Sequence, residues 1–281
     1  MQLIPKCSRW AGGAWISQWV TVARPVEKVG LVGAFSLVFF ATACAGGAAP
    51  LLTADPTGTV LFEQGQDALV DEDWRDAVTA FDTLLRNYPS SPFLAEARLG
   101  MGRAHFEQGR VDSLLMAIDA FQAFLTYHPS HKDVDFAQYM VAMTYVAQMR
   151  TADRDQEPTR RAIEALDLFI ASHSTSNLYP SAVEERLEAI DLLARHEFEV
   201  ARWQSGRDRD WDAAIDRVAW ALEHYPETTL RCELYYTMAE AYKRGKQMED
   251  AIRYYEYVIS EYPDCELVED AQKEIRDLNG G

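Results

Sequence analysis

An alanine followed twelve positions later by a proline recurs along this chain, and the residues between them trace one face of a helix. Pro89 follows Ala77 at this interval, Pro129 follows Ala117, Pro226 follows Ala214 and Pro263 follows Ala251. In the first copy Ala77, Phe81, Leu84, Leu85 and Tyr88 share one apolar side. Asp71, Glu72 and Asp73 precede it, where the helix dipole favours negative charge. Pro89 stops it, because proline cannot continue a helix and biases the residue before it away from helical dihedrals. A fifth copy starts at Ala162, continues through Leu166, Phe169 and Ile170, and has Ser174 in place of the proline. Each copy follows another helical segment, so the repeating unit is a pair of helices.

The pattern resembles the tetratricopeptide repeat, two antiparallel helices with a small residue where they cross closely. The cleanest unit is Cys232–Cys265, at the full 34 residues, with Tyr235, Met238, Ala239 and Tyr242 on its first helix. The intervals between successive alanines are 40, 45, 52 and 37, so the excess over 34 goes into loops or longer helices. One helix pair cannot bury its apolar face alone, and stacked neighbours make a continuous core. The sequence therefore predicts an all-α, right-handed superhelical solenoid of five helix pairs, closed by a capping helix from about Asp264 to Leu278. The five alanines should be buried.

The N-terminal residues read differently. Val29 to Ala43 is fifteen residues without charge, preceded by Arg24 and Lys28. A membrane span needs about 20, so this is a signal-peptide core and residues 1–43 are expected to be removed. The stretch before it, with Trp10, Trp15, Trp19 and Cys7, is an overlong prelude that fits a start codon assigned too far upstream. Ala41-Thr42-Ala43-Cys44 resembles a bacterial lipobox, with Ala41 where leucine is usual. Cys44 is then the lipidated first residue of the mature chain, and residues 44–59, rich in Gly, Ala, Pro and Thr, are a flexible tether. Several acyl chains at ~0.8 kcal/mol per methylene would hold the protein on a membrane. The repeat domain occupies 60–278.

Residues 1–44 carry four basic side chains against one acidic, so the formal charge of −17 becomes −20 over the remaining 237 residues. Such a surface repels nucleic acid, which is set aside as a partner. The sequence has no nucleophile elbow, phosphate loop or paired-cysteine motif, so no enzyme activity and no cofactor are expected. His128 and His131 with Asp133 lie in one turn and lack a second ligand set, which argues against a metal. His105 reads as a packing residue. His196-Glu197 lacks the second histidine of a zinc-protease motif, because Val200 and Ala201 stand there. Cys232 and Cys265 each stand where a first-type helix starts, and axes 8–10 Å apart are long for a disulfide, although an oxidising compartment would permit one.

A more specific resemblance lies in His128-Pro129-x-His131-x-x-Val134-Asp135-Phe136-x-x-Tyr139-Met140, in Asp153-Arg154-Asp155, and in Leu193-Ala194-x-x-Glu197-x-x-Val200-Ala201. These look like the BamD family, outer-membrane lipoproteins of the β-barrel assembly machine of diderm bacteria, over about Asp55 to Tyr262. The chain departs from that family at Ser174, at Trp203-Gln204-Ser205 and after Pro263. The resemblance implies a non-catalytic periplasmic scaffold, lipid-anchored in the outer membrane beside other assembly lipoproteins. Its C-terminal repeats would dock on a BamA-like barrel protein, and its N-terminal repeats would receive C-terminal segments of unfolded outer-membrane proteins. Arg217 falls at a family docking position, three residues after Ala214 and so about 60° from it around the helix, and is expected to point away from its acidic neighbours. The insert Asp153, Arg154 and Asp155 is a second docking candidate, and Arg75 and Tyr88 match the substrate side. A different periplasmic tetratricopeptide scaffold, such as a cell-division coordinator similar to CpoB or an export-machine lipoprotein, is the other reading open at this point.

Overall fold

The structure, a computed structural model, describes residues 55–208 and 210–280. The proposed signal peptide, Cys44 and most of the tether lie outside the described residues. Among the described residues eleven α-helices follow one another: α1 (Thr59–Val70), α2 (Trp74–Asn87), α3 (Leu94–Glu107), α4 (Val111–Tyr127), α5 (Val134–Val146), α6 (Glu157–Ser172), α7 (Tyr179–Trp203), α8 (Trp211–His224), α9 (Arg231–Arg244), α10 (Met248–Glu261) and α11 (Val268–Gly280). Each packs mainly on its neighbours in sequence, which makes five helix pairs in a superhelical solenoid, with α11 against α10. No strand occurs among the described residues.

Ala77, Ala117, Ala162, Ala214 and Ala251 are all fully buried, as the spacing predicts. Close crossing also explains Gly65. A Cβ there would stand 2.5 Å from the Phe81 ring, so only glycine lets α1 approach α2 this closely. The second helices end alike. Tyr88, His128, His173, Tyr225 and Tyr262 have φ between −121° and −132°, and each donates its backbone N–H to the carbonyl four residues back. His173 does so with Ser174 behind it, so the missing proline does not alter the stop.

The turns that follow these stops share a second regularity. Ser91, His131, Ser176, Thr228 and Cys265 each lie three residues before the next helix, and each donates its N–H to the carbonyl of the helix-stop residue. In the first four turns the side chain at this position also accepts an N–H from two residues on. Three of the turns are tied back to the first helix of their own pair. His131 faces Glu96 at 3.8 Å, Ser176 donates to Asp135 at 2.7 Å, and Thr228 donates to Asp191 at 2.7 Å.

In the fifth pair the tie is covalent, because Cys265 is bonded to Cys232 with their Cα atoms 6.6 Å apart. This corrects the expectation drawn from helix-axis spacing. Cys265 is in the turn rather than on a helix, and α11 begins three residues later, at Val268, instead of near Asp264. The turn folds over the start of α9 and brings the two Cα atoms within the usual disulfide range.

Candidate functional site

Two of the predicted sites, the Asp153–Asp155 insert and Arg217, both meet α7, which contains none of the predicted site residues itself. At 25 residues this helix is about 37 Å long, and it runs into a π-helical turn at Gln204–Asp208 before α8. Pro180, in its first turn, suits a helix start, where the missing N–H is not needed. Two consecutive residues of α7 face two different neighbours. His196 donates from Nδ1 to the carbonyl of Ala152, 2.5 Å away in the insert. Glu197 accepts from Arg217 of α8, Oε2 to Nη1, at 2.5 Å.

Arg217 therefore does not point away from acidic neighbours. The side chain of Glu197 is only 13% exposed, so a charge there requires a partner, and Arg217, itself 35% exposed, supplies it. The Nε of Arg217 is buried and makes no hydrogen bond among the described residues. Tyr225 lies within range of the same carboxylate: burial pushes its phenol up, and the negative charge of Glu197 pushes in the same direction.

The insert is a built turn. Gln156 is buried, and its Nε2 donates to the carbonyls of Thr151 and Arg154, each at 3.0 Å, while its Oε1 accepts from the Thr159 hydroxyl at 3.0 Å. Asp155 caps α6 by accepting the N–H of Glu157 at 3.1 Å. The Thr151 hydroxyl holds the Asp153 carboxyl below its ordinary range, and the charge of Arg154 adds to this. Asp153, Arg154 and Asp155 are exposed. Internal bonds shape the insert, and the Ala152–His196 contact fixes it on α7. Its three charges are left facing solvent.

Beside this joint is an open groove of about 300 Å³. Ile163, Ile190 and Leu193 are among its apolar lining, and Arg160, Glu164 and Tyr225 contribute polar groups. Trp220 stacks on His224 at 4.1 Å and is 41% exposed. Sequence reasoning did not single out this aromatic pair. Its signal was a tryptophan three residues after Arg217, with a histidine one turn further along.

The N-terminal candidates do not form one site. Arg75 is exposed in the first turn of α2, beside an open pocket of about 490 Å³ that also meets Glu72, Glu107 and Arg110. Tyr88 is thirteen residues on, at the far end of the same helix, about 20 Å away. Its ring lies over Gly58, where a Cβ would stand 3.0 Å from Cγ, so the side chain serves the packing of α1 on α2.

The histidine turn is an inter-helix seam. His128 lies 3.1 Å from Arg98, and His131 faces Glu96 and Asp133 through different ring nitrogens, at 3.8 and 3.5 Å. Burial, then the Arg98 charge, pushes the His128 imidazole down. Burial also lowers His105. No metal-binding cluster of three or more His, Cys, Asp or Glu occurs among the described residues.

Comparison with known proteins places this geometry in a family. The family YfiO, described as outer membrane lipoprotein, matches residues 54–246, and a tetratricopeptide repeat matches 233–264, the stretch just inside Cys232 and Cys265. A Vibrio cholerae protein named outer membrane protein assembly factor BamD is 25% identical over 206 residues, covering 69% of this chain and 83% of its own. The Haemophilus influenzae protein of the same name is 23% identical over 231 residues, covering 79% of this chain and 85% of its own. Among solved structures, MamA is similar at a TM-score of 0.35 and 17% identity, over 73% of this chain and 91% of that one. The outer-membrane lipoprotein match covers more than half of the 281 residues, with the α7–α8 joint and the Asp153–Asp155 insert inside it, and the chain belongs to that family.

Proposed function

We propose that this protein is a non-catalytic scaffold of outer-membrane protein assembly, working at the periplasmic face of the outer membrane. The observation that carries the reading is the family match across residues 54–246, together with relatives named for that assembly. In this reading residues 1–43 are a signal peptide, Cys44 carries lipid, residues 44–59 are the tether and 60–278 form the working domain. No helix among the described residues is long and apolar enough to cross a membrane. The fourth and fifth pairs dock on a BamA-like barrel protein beside other assembly lipoproteins. The first pairs, with Arg75 at the mouth of their pocket, receive C-terminal segments of unfolded outer-membrane proteins.

Two features where the third and fourth pairs meet support this division. The insert presents Asp153, Arg154 and Asp155 to solvent on a turn whose shape is already fixed, which lowers the ordering cost of binding. Arg217 holds one carboxylate through a single nitrogen, and its planar fork has further donors for a second.

Crosslinking in intact cells followed by purification of the tagged chain from membranes tests the reading. The barrel-assembly protein should be a major crosslinked partner, and Cys44→Ser should move the chain out of the outer-membrane fraction. Recovery of cell-division or export components in its place would contradict the assignment.

A further inference from the structure

The fifth pair differs from the other four at one position. Turn residues Ser91, His131, Ser176 and Thr228 each offer an oxygen or nitrogen that accepts an N–H two residues on. Cys265 stands at the same place, and sulfur is a weak acceptor. The partner position changes with it. Asp135, which receives the Ser176 hydroxyl, is the second residue of α5, and Cys232 is the second residue of α9. The aspartate–serine tie of the third pair has thus become a disulfide in the fifth. A reduced Cys232–Cys265 pair could supply neither a good acceptor nor an ionic link.

The location makes this tie matter. Behind each earlier second helix stands a further helix pair, but behind α10 stands the single helix α11, which packs mainly on α10. Of the residues of α11, only Ala271 is buried, with Ile275 and Leu278 partly so. A thirteen-residue helix has little stability of its own. A polar contact also holds α11, the ion pair of Lys243 on α9 with Glu274. That pair and the small apolar face of α11 join only side chains, so covalent closure of the turn in front of α11 is the covalent tie that fixes where this helix begins.

We propose that this chain is itself a substrate of protein dithiol oxidation, and that its C-terminal end is completed only after that step. The thiols of Cys232 and Cys265 lose two protons and two electrons as the sulfur–sulfur bond forms. The electrons pass to a disulfide-bearing oxidant, a thiol oxidoreductase, which leaves as a dithiol. Attack requires a thiolate reaching a sulfur. Cys232 is 6% exposed in the closed structure, so exchange takes place before α11 docks or while it is lifted. The order is then export to an oxidising compartment, closure of the turn, and docking of the cap. Tyr235, Tyr254, Tyr257 and Tyr262 lie together on α9, α10 and the turn after them, and this surface is held in shape by the same closure.

Full-length protein purified from membranes, with a maleimide present from lysis onward, tests the first half. Digestion and mass spectrometry should find the Cys232 and Cys265 peptides joined and released only by dithiothreitol. Maleimide on either residue in most molecules would overturn the proposal. Hydrogen exchange on the same protein tests the second half. Complete reduction should speed the amides of α10 and α11 at least tenfold and leave α1–α6 unchanged, and equal exchange in both states would overturn it. The double change Cys232→Asp with Cys265→Ser installs the tie of the third pair. It should recover slower exchange than Cys232→Ala with Cys265→Ala, and equally fast exchange in the two would refute the equivalence of the two ties.

Discussion

In the first two pairs the Phe81 ring lies against both Gly65 of α1 and Gly100 of α3, and Phe121 lies against Gly102. Phe62 and Phe93 stack at 4.5 Å. In the last two pairs polar and covalent ties are added to the apolar packing. Asp191 takes the Thr228 hydroxyl and both the N–H and hydroxyl of Thr229, Arg186 ties Asp167 to Glu227, and Arg217 ties α8 to Glu197. Cys232 and Cys265 close the end. Both halves are built on the same helix pair. Interlocked rings and glycines fix one geometry and respond weakly to salt or pH. Charged and redox-active ties can be opened by a partner's charge or by a reductant, so the adjustable half is the one assigned to docking.

The largest effect should come from the packed half. Phe81→Ala empties a fully buried ring site and should cost ~3–5 kcal/mol in chemical denaturation, with little change between low and high salt. A strong salt dependence of that loss would break the contrast between the halves. Ala214→Leu overpacks a fully buried crossing in the polar half and should cost ~1–3 kcal/mol, also independent of salt, because every crossing needs its small residue.

Arg217→Ala leaves the Glu197 carboxylate short of its partner. Since the arginine is about one-third exposed, the cost should be only ~1–2 kcal/mol, and it should shrink at high salt. The smallest effect concerns pH. Burial pushes the Asp133 carboxyl up, with Lys132 and His131 pulling it back. The folded state then binds this proton more tightly than the unfolded state does. Its contribution to stability is present below the unfolded value, near 3.9, and is lost as pH rises through the folded one. Asp133→Asn should flatten that part of the stability profile, with a gain of less than about 1 kcal/mol at neutral pH.

The parts of the fold legible in the sequence were those governed by local spacing. Ala77 and its four counterparts could be read because a close crossing admits nothing larger at helical period. The stop at each second helix could be read from Tyr-Pro or His-Pro, and His173 shows that the stop survives without the proline. The ties between distant residues could not be read. Thr228 and Asp191 are 37 positions apart, and nothing in either neighbourhood announces the other. Glu197 and Arg217 are 20 apart on different helices, so a rule built on angles around one helix placed Arg217 on a free rim. The disulfide was misjudged because axis spacing was applied to Cys265, which belongs to a turn. The insert stood out by composition, but its fixed shape depends on Gln156, a residue with no motif around it.

The docking role of the fourth pair is tested most directly by exchanging the charges of one ion pair. Full-length protein in detergent is compared as the unchanged chain, as Arg217→Glu, and as Arg217→Glu combined with Glu197→Arg. Thermal melting and affinity for the periplasmic domain of the barrel-assembly protein are measured on each. Arg217→Glu should lower the melting temperature, because two carboxylates then face each other across α7 and α8. The exchanged pair should bring melting back close to that of the unchanged chain, while binding stays at least tenfold weaker, about 1.4 kcal/mol. Recovery of both melting and binding in the exchanged pair would mean that Arg217 serves only the internal joint, and would contradict its place in the docking surface.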